Sequence, residues 1–507
     1  EAPDYFGLAA RFYDVNGDGA PDLYVCNDFE DPDQFWLNDG RGGFRLVPTL
    51  ALRATSNTCM SVDFGDINRD GAVDIFTADM LSPTLAARQR QIPTHTPMPK
   101  TTGVAPERAQ WMQNTLQVAR GDGTWAQMAD FAGVSASDWT WGSAFADIDL
   151  DGWEDLLVVA GHRWDIRDAD TFERMRNSFP RVAWNREQGE FPRLAVPNVA
   201  YRNNGDLTFA DRSLAWRFGS DSAIHNSLAL GDLDGDGDLD AVVGRLNDAP
   251  MVYRNEAAAP RVAVRLSGTA PNTRGIGAVV TVRAASLPVQ SREVTDGGAY
   301  LSSNDPQLSF ATGRDSVLTL EVRWRDGTVS TIEGARANRL YEVSQTGAAA
   351  SPRLAPPTGA ALFADATALL GGHTHVESSF DDFARQPLLP NRFSQLGPGV
   401  SWIDVDGDGR EDLVVGAGRG GALTVLRNTP RGFLSARATG AAAGDLGTVL
   451  PAWRGGGGLT LVASQANYEA ATKDDALELP GVLGYAITAG RPGPSRVVAG
   501  PDSASTG

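Results

Sequence analysis

Short apolar runs rich in β-branched residues recur five times along the chain, and each begins directly after an aspartate. Runs of this length, bounded by polar segments that contain glycine, predict buried β-strands rather than helices. Five copies of one local pattern also imply a repeated architecture, so we expect an all-β protein. The runs are Leu23–Val25, Ile75–Thr77, Leu156–Val158, Ala241–Val243 and Leu413–Val415.

A second strand pattern follows these runs, in which an apolar stretch ends in a polar turn. Each repeat then contains a strand, an aspartate-rich turn, a second strand, a longer excursion, a third strand, a turn and a fourth strand. This order describes one four-stranded blade per repeat. Blades repeated around an axis protect the edge strands of a sheet, so the order predicts a β-propeller. The second pattern occupies Phe35–Gly40, Tyr201–Gly205, Val252–Asn255 and Val425–Asn428, with a weaker version at Gln117–Trp125.

The aspartate-rich turn between the first two strands of each repeat has the nine-residue form D-x-[DN]-x-D-G-x-x-D. Side-chain oxygens at positions 1, 3, 5 and 9, with a glycine for the sharp turn at position 6, suit calcium, which takes six to eight oxygen ligands. The expected ligands are Asp14, Asn16, Asp18, Asp22, Asp66, Asn68, Asp70, Asp74, Asp147, Asp149, Asp151, Asp155, Asp232, Asp234, Asp236, Asp240, Asp404, Asp406, Asp408 and Asp412.

Other cation sites fit these loops less well. An EF-hand needs a glutamate at position 12, where this chain has Val or Thr, and helices on both sides of the loop. The loops offer neither thiolate nor imidazole, which disfavours zinc. A solvated turn is the alternative for a single loop, but five copies at one spacing favour calcium. Loops three to five carry aspartate at all four ligand positions, so we expect them to bind calcium more tightly.

The spacing of the loops predicts the domain organisation. Residues 1–258 carry four loops and form propeller blades, whereas residues 259–345 carry none and read as a separate small β domain. A linker at 346–360 leads to 361–507, a second and incomplete propeller with the fifth loop. Insertions at 81–111 and 161–198 leave the strand that follows a calcium turn, so we expect them on the opposite face, where a protein or glycan ligand would bind.

The composition of the chain limits the partners and the cellular compartment that we expect. The chain of 507 residues has a formal charge of −19, and five calcium ions would reduce it to about −9. No basic surface is apparent, so nucleic acid is not an expected partner. No apolar run is long enough to cross a membrane. Loops of this kind suit millimolar calcium, so we expect a secreted, periplasmic or cell-surface protein, present here as a processed chain or a fragment.

The loops and their continuations resemble FG-GAP and VCBS repeats of integrin-α-like propellers. The segment 272–326, from NTRGIGAVVTV to VRWRDG, resembles the ASPIC/UnbV domain of the cartilage acidic protein family. The resemblance implies a seven-bladed, calcium-binding propeller, a secreted or surface protein, and no catalytic residues to carry over. Fewer than seven blades precede the ASPIC/UnbV-like segment, which is a departure from that pattern.

One cluster supports an alternative, a polysaccharide hydrolase or lyase. His373, His375 and Glu377 alternate, so on a strand all three would lie on one face, with Asp381 and Asp382 close behind. Such a group is able to bind a transition metal or to hydrolyse a bond. The same side chains would otherwise be incidental polar residues, or would orient Arg385. We expect no enzyme.

Two further pairs have open interpretations. Trp139 and Trp141 precede the third loop and either stack on a sugar or, as we favour, pack between blades. Cys26 and Cys59 lie at the same end of neighbouring predicted sheets, where they form a disulfide or remain two small buried thiols.

Overall fold

The structure is a computed structural model that describes residues 6–28, 31–91, 108–178, 190–350, 365–386, 393–395, 397–453 and 458–499. The described residues divide into two compact units, one up to residue 350 and the other from residue 365 onward. Most regular structure is strand, which confirms the all-β prediction. The few helices are α1 Leu85–Arg90, α2 Ala129–Ala132, α3 Ala169–Ser178, α4 Asp382–Arg385 and α5 Lys473–Glu478, with a 3-10 helix at Thr367–Leu370.

The first sheet contains four antiparallel strands that follow one another in chain order. The first calcium-type loop joins its first two strands, and the strand after the loop begins at Asp22, the ninth loop residue. Alternate side chains of this second strand are buried, as its apolar pattern predicts. The strands are β1 Phe6–Tyr13, β2 Asp22–Asp28, β3 Gln34–Asn38 and β4 Phe44–Leu46.

The second sheet repeats this arrangement, with its strands in the order β6-β7-β9-β10. A disulfide joins Cys26 of the first sheet to Cys59 beside the second, with a Cα–Cα distance of 4.9 Å, so the bridged alternative is the one observed. Two short strands, β5 and β8, pair in parallel beside the sheet. The strands are β5 Ala54–Ser56, β6 Ser61–Gly65, β7 Asp74–Ala78, β8 Ala109–Trp111, β9 Thr115–Ala119 and β10 Trp125–Gln127.

The third sheet has four strands, β11-β12-β14-β15, and the fourth has three, β17-β18-β19. The insertion between β12 and β14 contains α3. A two-stranded pair, β13 with β16, connects the two regions. The strands are β11 Thr140–Ala146, β12 Asp155–Ala160, β13 Val196–Pro197, β14 Val199–Asn203, β15 Phe209–Asp211, β16 Ser222–Ala223, β17 His225–Gly231, β18 Asp240–Arg245 and β19 Met251–Tyr253.

Consecutive sheets of this unit pack face to face. Their first strands β1, β6, β11 and β17 are neighbours in that order. A separate apolar core fills each of the three spaces between sheets. Tyr24 and Phe64 belong to the first core, Phe76 and Phe145 to the second, and Leu157 to the third. Four-stranded sheets that pack face to face in series, with their first strands adjacent, form a β-propeller-like scaffold.

Residues 261–350 form two further sheets, β23-β20-β26 and β22-β21-β24-β25-β27, around a core of their own. This β domain belongs to the same compact unit as the four blades. Its alternating pattern is clear in β24, where every second residue is buried. The strands are β20 Arg261–Ser267, β21 Val279–Arg283, β22 Gln290–Glu293, β23 Leu308–Ala311, β24 Val317–Arg323, β25 Thr328–Arg336, β26 Arg339–Ser344 and β27 Ala349–Ala350.

The β domain contacts the first strands of the blades through residues 292–304. The hydroxyl of Tyr13 accepts a hydrogen bond from Glu293 N at 3.3 Å. Leu230 N donates to Asn304 Oδ1 at 2.9 Å, and Ser302 Oγ donates to Leu228 O at 2.7 Å. One segment of the β domain therefore links the first and the fourth blade.

The second unit contains two four-stranded antiparallel sheets with a shared core that includes Val414, Val425 and Leu461. The fifth loop joins the first two strands of the first sheet. The other sheet has no aspartate-rich loop, so the repeat pattern did not predict it. The strands are β28 Val400–Ile403, β29 Asp412–Val415, β30 Thr424–Thr429, β31 Gly432–Arg437, β32 Leu446–Trp453, β33 Leu459–Gln465, β34 Val482–Thr488 and β35 Arg491–Ala499.

Candidate metal centres

The first aspartate of every loop closes the turn by accepting backbone hydrogen bonds. Its Oδ2 atom accepts from the N–H of the glycine at position 6, over distances of 2.7 to 3.1 Å in the five loops. That glycine has a positive φ, between 80° and 98°, which an L-residue rarely adopts. The conserved spacing within the chain thus reflects one backbone conformation. The aspartates are Asp14, Asp66, Asp147, Asp232 and Asp404, and the glycines are Gly19, Gly71, Gly152, Gly237 and Gly409.

The ninth residue of every loop is a buried aspartate with two backbone partners. In the fifth loop, Asp412 accepts from Val405 N at 2.9 Å and from Asn428 N at 2.7 Å. The four other loops repeat both bonds, one from the second loop residue and one from the end of the third strand. This carboxylate therefore joins the turn to the blade. The residues are Asp22, Asp74, Asp155, Asp240 and Asp412, each at most 1% exposed.

The third, fourth and fifth loops also bring three carboxylates together. The oxygens of their first, third and ninth residues lie within 4.8 Å of one another. Two oxygens that share a calcium ion at about 2.3–2.6 Å are separated by no more than about 5 Å. In the first two loops the residue at position three is Asn16 or Asn68, and its side-chain amide donates to the aspartate at position five instead. The oxygen-only donor sets fit a hard cation such as calcium.

An arginine on the third strand accompanies the extra carboxylate of loops three to five. Arg202 pairs with Asp149 at 2.6 Å, and Arg427 pairs with Asp406 at 3.1 Å. The fourth loop has the same pairing at 3.7 Å. Where the third loop residue is asparagine, the strand position carries an apolar residue, Leu37 or Val118. Counted over the four ligand positions and the strand residue alone, each loop therefore has a formal charge of −3.

This charge balance opposes the affinity order expected from the carboxylate counts. An arginine beside the residue at position three repels an incoming cation. Its charge therefore offsets the additional aspartate that loops three to five carry at that position. Tighter calcium binding at loops three to five stays a prediction.

Burial and like charges disfavour ionised loop carboxylates in the absence of a cation. Burial raises the pKa of Asp22 to about 7 and the pKa of Asp74 to about 8, although backbone hydrogen bonds oppose the shift. Burial likewise raises the pKa of Asp147 to about 7, helped by the charge of Asp151. A bound divalent cation would favour the ionised forms of the same groups.

The segment with the two histidines is not a strand, so the prediction that His373, His375 and Glu377 share a strand face is wrong. His375 Nε2 lies 3.2 Å from Glu377 Oε2, whereas the ring nitrogens of His373 have no hydrogen-bond partner among the described residues. Residues 373–381 have no strand partner in the described part of the chain, so alternation in sequence does not place these side chains on one face.

The neighbouring charged residues have structural partners. Asp381 caps α4 by accepting from the backbone N–H groups of Phe383 and Ala384. Asp382 accepts from the backbone of Phe393 and Ser394. Arg385 donates to the carbonyl of Ala470 at 2.8 Å and lies over the ring of Tyr468. These contacts do not assemble a catalytic group around the histidines.

Trp139 is buried with Met60 and Met80, at the contact of the second and third sheets. Its ring stacks on His162 with a centroid distance of 3.9 Å. Trp141 is half-buried, stacks on Tyr300 of the β domain at 4.9 Å, and donates its indole N–H to Gly161 O. Trp139 therefore packs between blades, and Trp141 connects a blade to the β domain.

A pocket of about 360 Å³ lies at the ends of the third and fourth sheets that are farthest from their aspartate-rich loops. It is formed after β12, after β18 and before β17. Two arginines and one tryptophan contribute to its wall, together with Asn247 and Asp248. The Arg163 guanidinium lies 5.2 Å from the centre of the Trp164 ring, and Arg193 is the second arginine.

Protein-family models match three parts of the chain. An FG-GAP-like repeat matches residues 14–77, which include the first two loops, and an FG-GAP repeat matches 396–432 around the fifth. The ASPIC and UnbV family matches residues 268–350, within the β domain. The chain is an FG-GAP-repeat protein with an ASPIC/UnbV domain. FG-GAP repeats are generally scaffolds rather than enzymes, and no enzyme family matches this FG-GAP-repeat protein.

No curated protein matches the FG-GAP-repeat chain. Among solved structures, it resembles a lectin of Agrocybe aegerita that recognises non-reducing terminal N-acetylglucosamine, at 12% identity, 85% coverage of this chain, 80% of that one and a TM-score of 0.23. It also resembles a structure of BBS1N in complex with ARL6DN, at 9% identity, 91% and 90% coverage and a TM-score of 0.19. These scores are too low to support an argument about this protein.

None of the helices in the described part of the chain has the length and apolar character that a membrane crossing requires.

Proposed function

We propose that this protein is an extracytoplasmic, calcium-stabilised scaffold that binds a glycan or a protein through the face opposite its calcium loops. The observation that supports it best is the five-fold recurrence of one turn. In each copy the first aspartate closes the loop, the glycine adopts a positive φ, and the ninth aspartate is buried against the backbone. FG-GAP-repeat proteins are often extracellular or surface proteins, which supports the compartment.

Calcium has a structural role in this proposal. Three or four carboxylates repel one another across each loop, and burial raises the pKa of several of them. A cation that binds the folded loops neutralises this repulsion, so its binding free energy adds to the stability of the folded state. The loops lie between two strands of a blade, away from the pocket at the opposite ends of the strands.

The chemistry of that pocket favours a glycan with acidic groups. Trp164 is half-exposed and offers a ring for stacking on a sugar, while Arg163 and Arg193 are exposed cations suited to carboxylates or sulfates. The carboxylate of Asp248 has a cation of its own, because Arg245 pairs with it at 3.2 Å. Asp248 thus offsets the two arginines only in part.

Binding to a glycan array that includes acidic and neutral polysaccharides tests the ligand class. We expect binding to acidic glycans that falls at least tenfold in Arg193→Ala, since a desolvated charge-assisted contact contributes about 1.5–3 kcal/mol. Arg217→Ala is the control, because it removes an exposed arginine outside the pocket lining. Equal binding by both variants would place the ligand elsewhere, and a protein ligand captured without any glycan would replace the glycan proposal.

A further inference from the structure

A second acidic group lies in the second unit, outside the five loops. Carboxylate oxygens of Glu377, Asp445 and Glu469 lie within 4.8 Å of one another. Asp445 directly precedes β32, and Glu469 follows β33, whose last residue pairs with the first residue of β32. Leu446 N also donates to Ala417 O, just beyond the end of β29. The group therefore lies at the end of both sheets that is farthest from the fifth loop.

Burial makes this arrangement costly without a countercharge. Asp445 and Glu469 are 5% and 3% exposed. One oxygen of Glu469 accepts from Gln395 N at 3.1 Å, but the other, Oε2, has no hydrogen-bond partner in the described part of the chain. Buried carboxylate oxygens are normally paired, because an unpaired one loses its hydration without compensation. This oxygen lies beside two further carboxylates, so the group brings three oxygen donors together.

Within the described residues, one guanidinium forms a salt bridge with this group. Arg419 Nε lies 3.6 Å from Glu469 Oε2, and the backbone N–H of Arg419 donates to Asp445 at 3.0 Å. Three carboxylates and one arginine leave a formal charge of −2, which equals the charge that a divalent cation would neutralise. His375, 3.2 Å from Glu377, orients the third carboxylate.

We propose that Glu377, Asp445 and Glu469 bind a divalent cation through carboxylate oxygens, at a site distinct from the five loops. The all-oxygen donor set selects a hard ion such as calcium or manganese. The cation joins the segment around Glu377 to the two residues that precede β32 and follow β33. Its function is structural at a surface opposite the fifth loop.

The full chain with Glu469→Gln tests this site. Glutamine keeps the size and the acceptor for Gln395 N but removes one ligand charge. We expect the variant to bind one ion fewer than the wild type after dialysis against calcium or manganese. Glu478→Gln, an exposed acid on α5, is the control and should bind the same number of ions as the wild type. Equal counts for wild type and Glu469→Gln with both metals would overturn the proposal.

Thermal unfolding distinguishes a metal site from a hydrogen-bonding cluster. In chelator, Glu469→Gln should melt at or above the wild-type temperature, because it relieves the repulsion among three clustered carboxylates that Arg419 compensates only in part. In the metal, it should melt below the wild type. The same loss of stability in both conditions would show a metal-independent role and overturn the proposal. If Glu469→Gln does not fold, Glu377→Gln at the half-buried position replaces it, with the same expected results.

The proposal does not depend on the function of the five loops. Asp404→Asn removes a fifth-loop carboxylate and leaves the acidic group unchanged. A lost ion in Glu469→Gln therefore supports this site even if Asp404→Asn has no effect, and the reverse result would support the loops alone.

Discussion

The aspartate at position nine of each loop combines two roles that the sequence pattern does not separate. As a carboxylate it is an expected calcium ligand. As a buried group it accepts two backbone hydrogen bonds, which join the loop to the second and third strands of its blade. In the third and fifth loops, by contrast, the residue at position three pairs with an arginine side chain. Substitutions at the two positions should therefore differ in their dependence on calcium.

We predict that Asp412→Asn destabilises the protein with and without calcium. An amide has one acceptor oxygen, so either Val405 N or Asn428 N loses its partner in a buried environment. Leaving such a group unsatisfied costs about 1–3 kcal/mol. Urea unfolding in chelator and in calcium measures the change. Asp406→Asn is the matched control and should change stability only in calcium. An Asp412→Asn protein that is as stable as wild type in chelator would contradict the assigned role.

The arginine contacts predict a gain of calcium affinity. Arg427→Leu, which places at the fifth loop the residue found at the first, should raise the affinity of that loop about two- to fivefold, because partly exposed ion pairs contribute about 0.2–1 kcal/mol. Hydrogen exchange of peptides covering residues 400–415 during calcium titration reports this loop alone. Arg431→Leu removes a charge from the same hairpin and should have no such effect. An unchanged or weaker affinity in Arg427→Leu would show that the arginine does not oppose binding.

At the scale of elements, a chain of buried ion pairs connects three blades with the β domain. Arg11 of β1 pairs with Asp63 of β6 at 2.9 Å. Arg292 of β22 lies 4.0 Å from Asp63 and 2.9 Å from Glu154, which belongs to the third loop. Both carboxylates are at most 5% exposed, so their cations compensate for lost hydration. These pairs position the β domain against the first strands of the blades.

We therefore predict that Arg292→Met destabilises the unit that contains residues 6–350. Removing one member of a buried ion pair typically costs about 3–5 kcal/mol. Arg274→Met removes an exposed arginine of the same β domain, paired with Asp296 at 2.9 Å, and should cost less than about 1 kcal/mol. Denaturant unfolding of both variants measures the difference. Similar losses in the two variants would mean that burial of the Arg292 pair contributes little.

The strands next to the loops were predictable from sequence because position nine is followed at once by a buried apolar run, as in Asp155 and Leu156–Val158. The turn conformation followed from the glycine at position six. The pairing of Asp149 with Arg202 was not predictable, because it depends on the register between β12 and β14. One signal was present in the sequence: arginine precedes the tail asparagine only in repeats with aspartate at position three.

Contacts between distant segments also could not be predicted from local sequence patterns. Glu377 was singled out with two histidines because they alternate in sequence, but the structure places it beside Asp445 and Glu469. The two partners are 68 and 92 residues further along the chain and belong to a sheet without an aspartate-rich loop. The pocket proposed to bind a partner likewise combines residues of one insertion with residues before β17 and after β18.

At the scale of the whole molecule, acidity and fold are connected through the loops. The formal charge of −19 includes the eighteen aspartates at the ligand positions, and each folded loop holds its own three or four carboxylates in one tight turn. Without cations, this concentration of charge opposes folding. Five bound calcium ions would reduce the formal negative charge from −19 to about −9. They would also remove most of the repulsion between carboxylates within each loop. We therefore expect calcium to be a condition for the stability of both units.

Thermal unfolding of the full chain in chelator, in millimolar calcium and in millimolar magnesium, together with metal analysis, tests this central claim most directly. We expect a large rise in the melting temperature with calcium and a much smaller one with magnesium, because magnesium requires a tighter octahedral geometry. We also expect at least five bound calcium ions per chain, to which the acidic group of the second unit adds one. Equal melting temperatures in chelator and calcium, without bound calcium, would contradict the account and leave the loops as solvated turns.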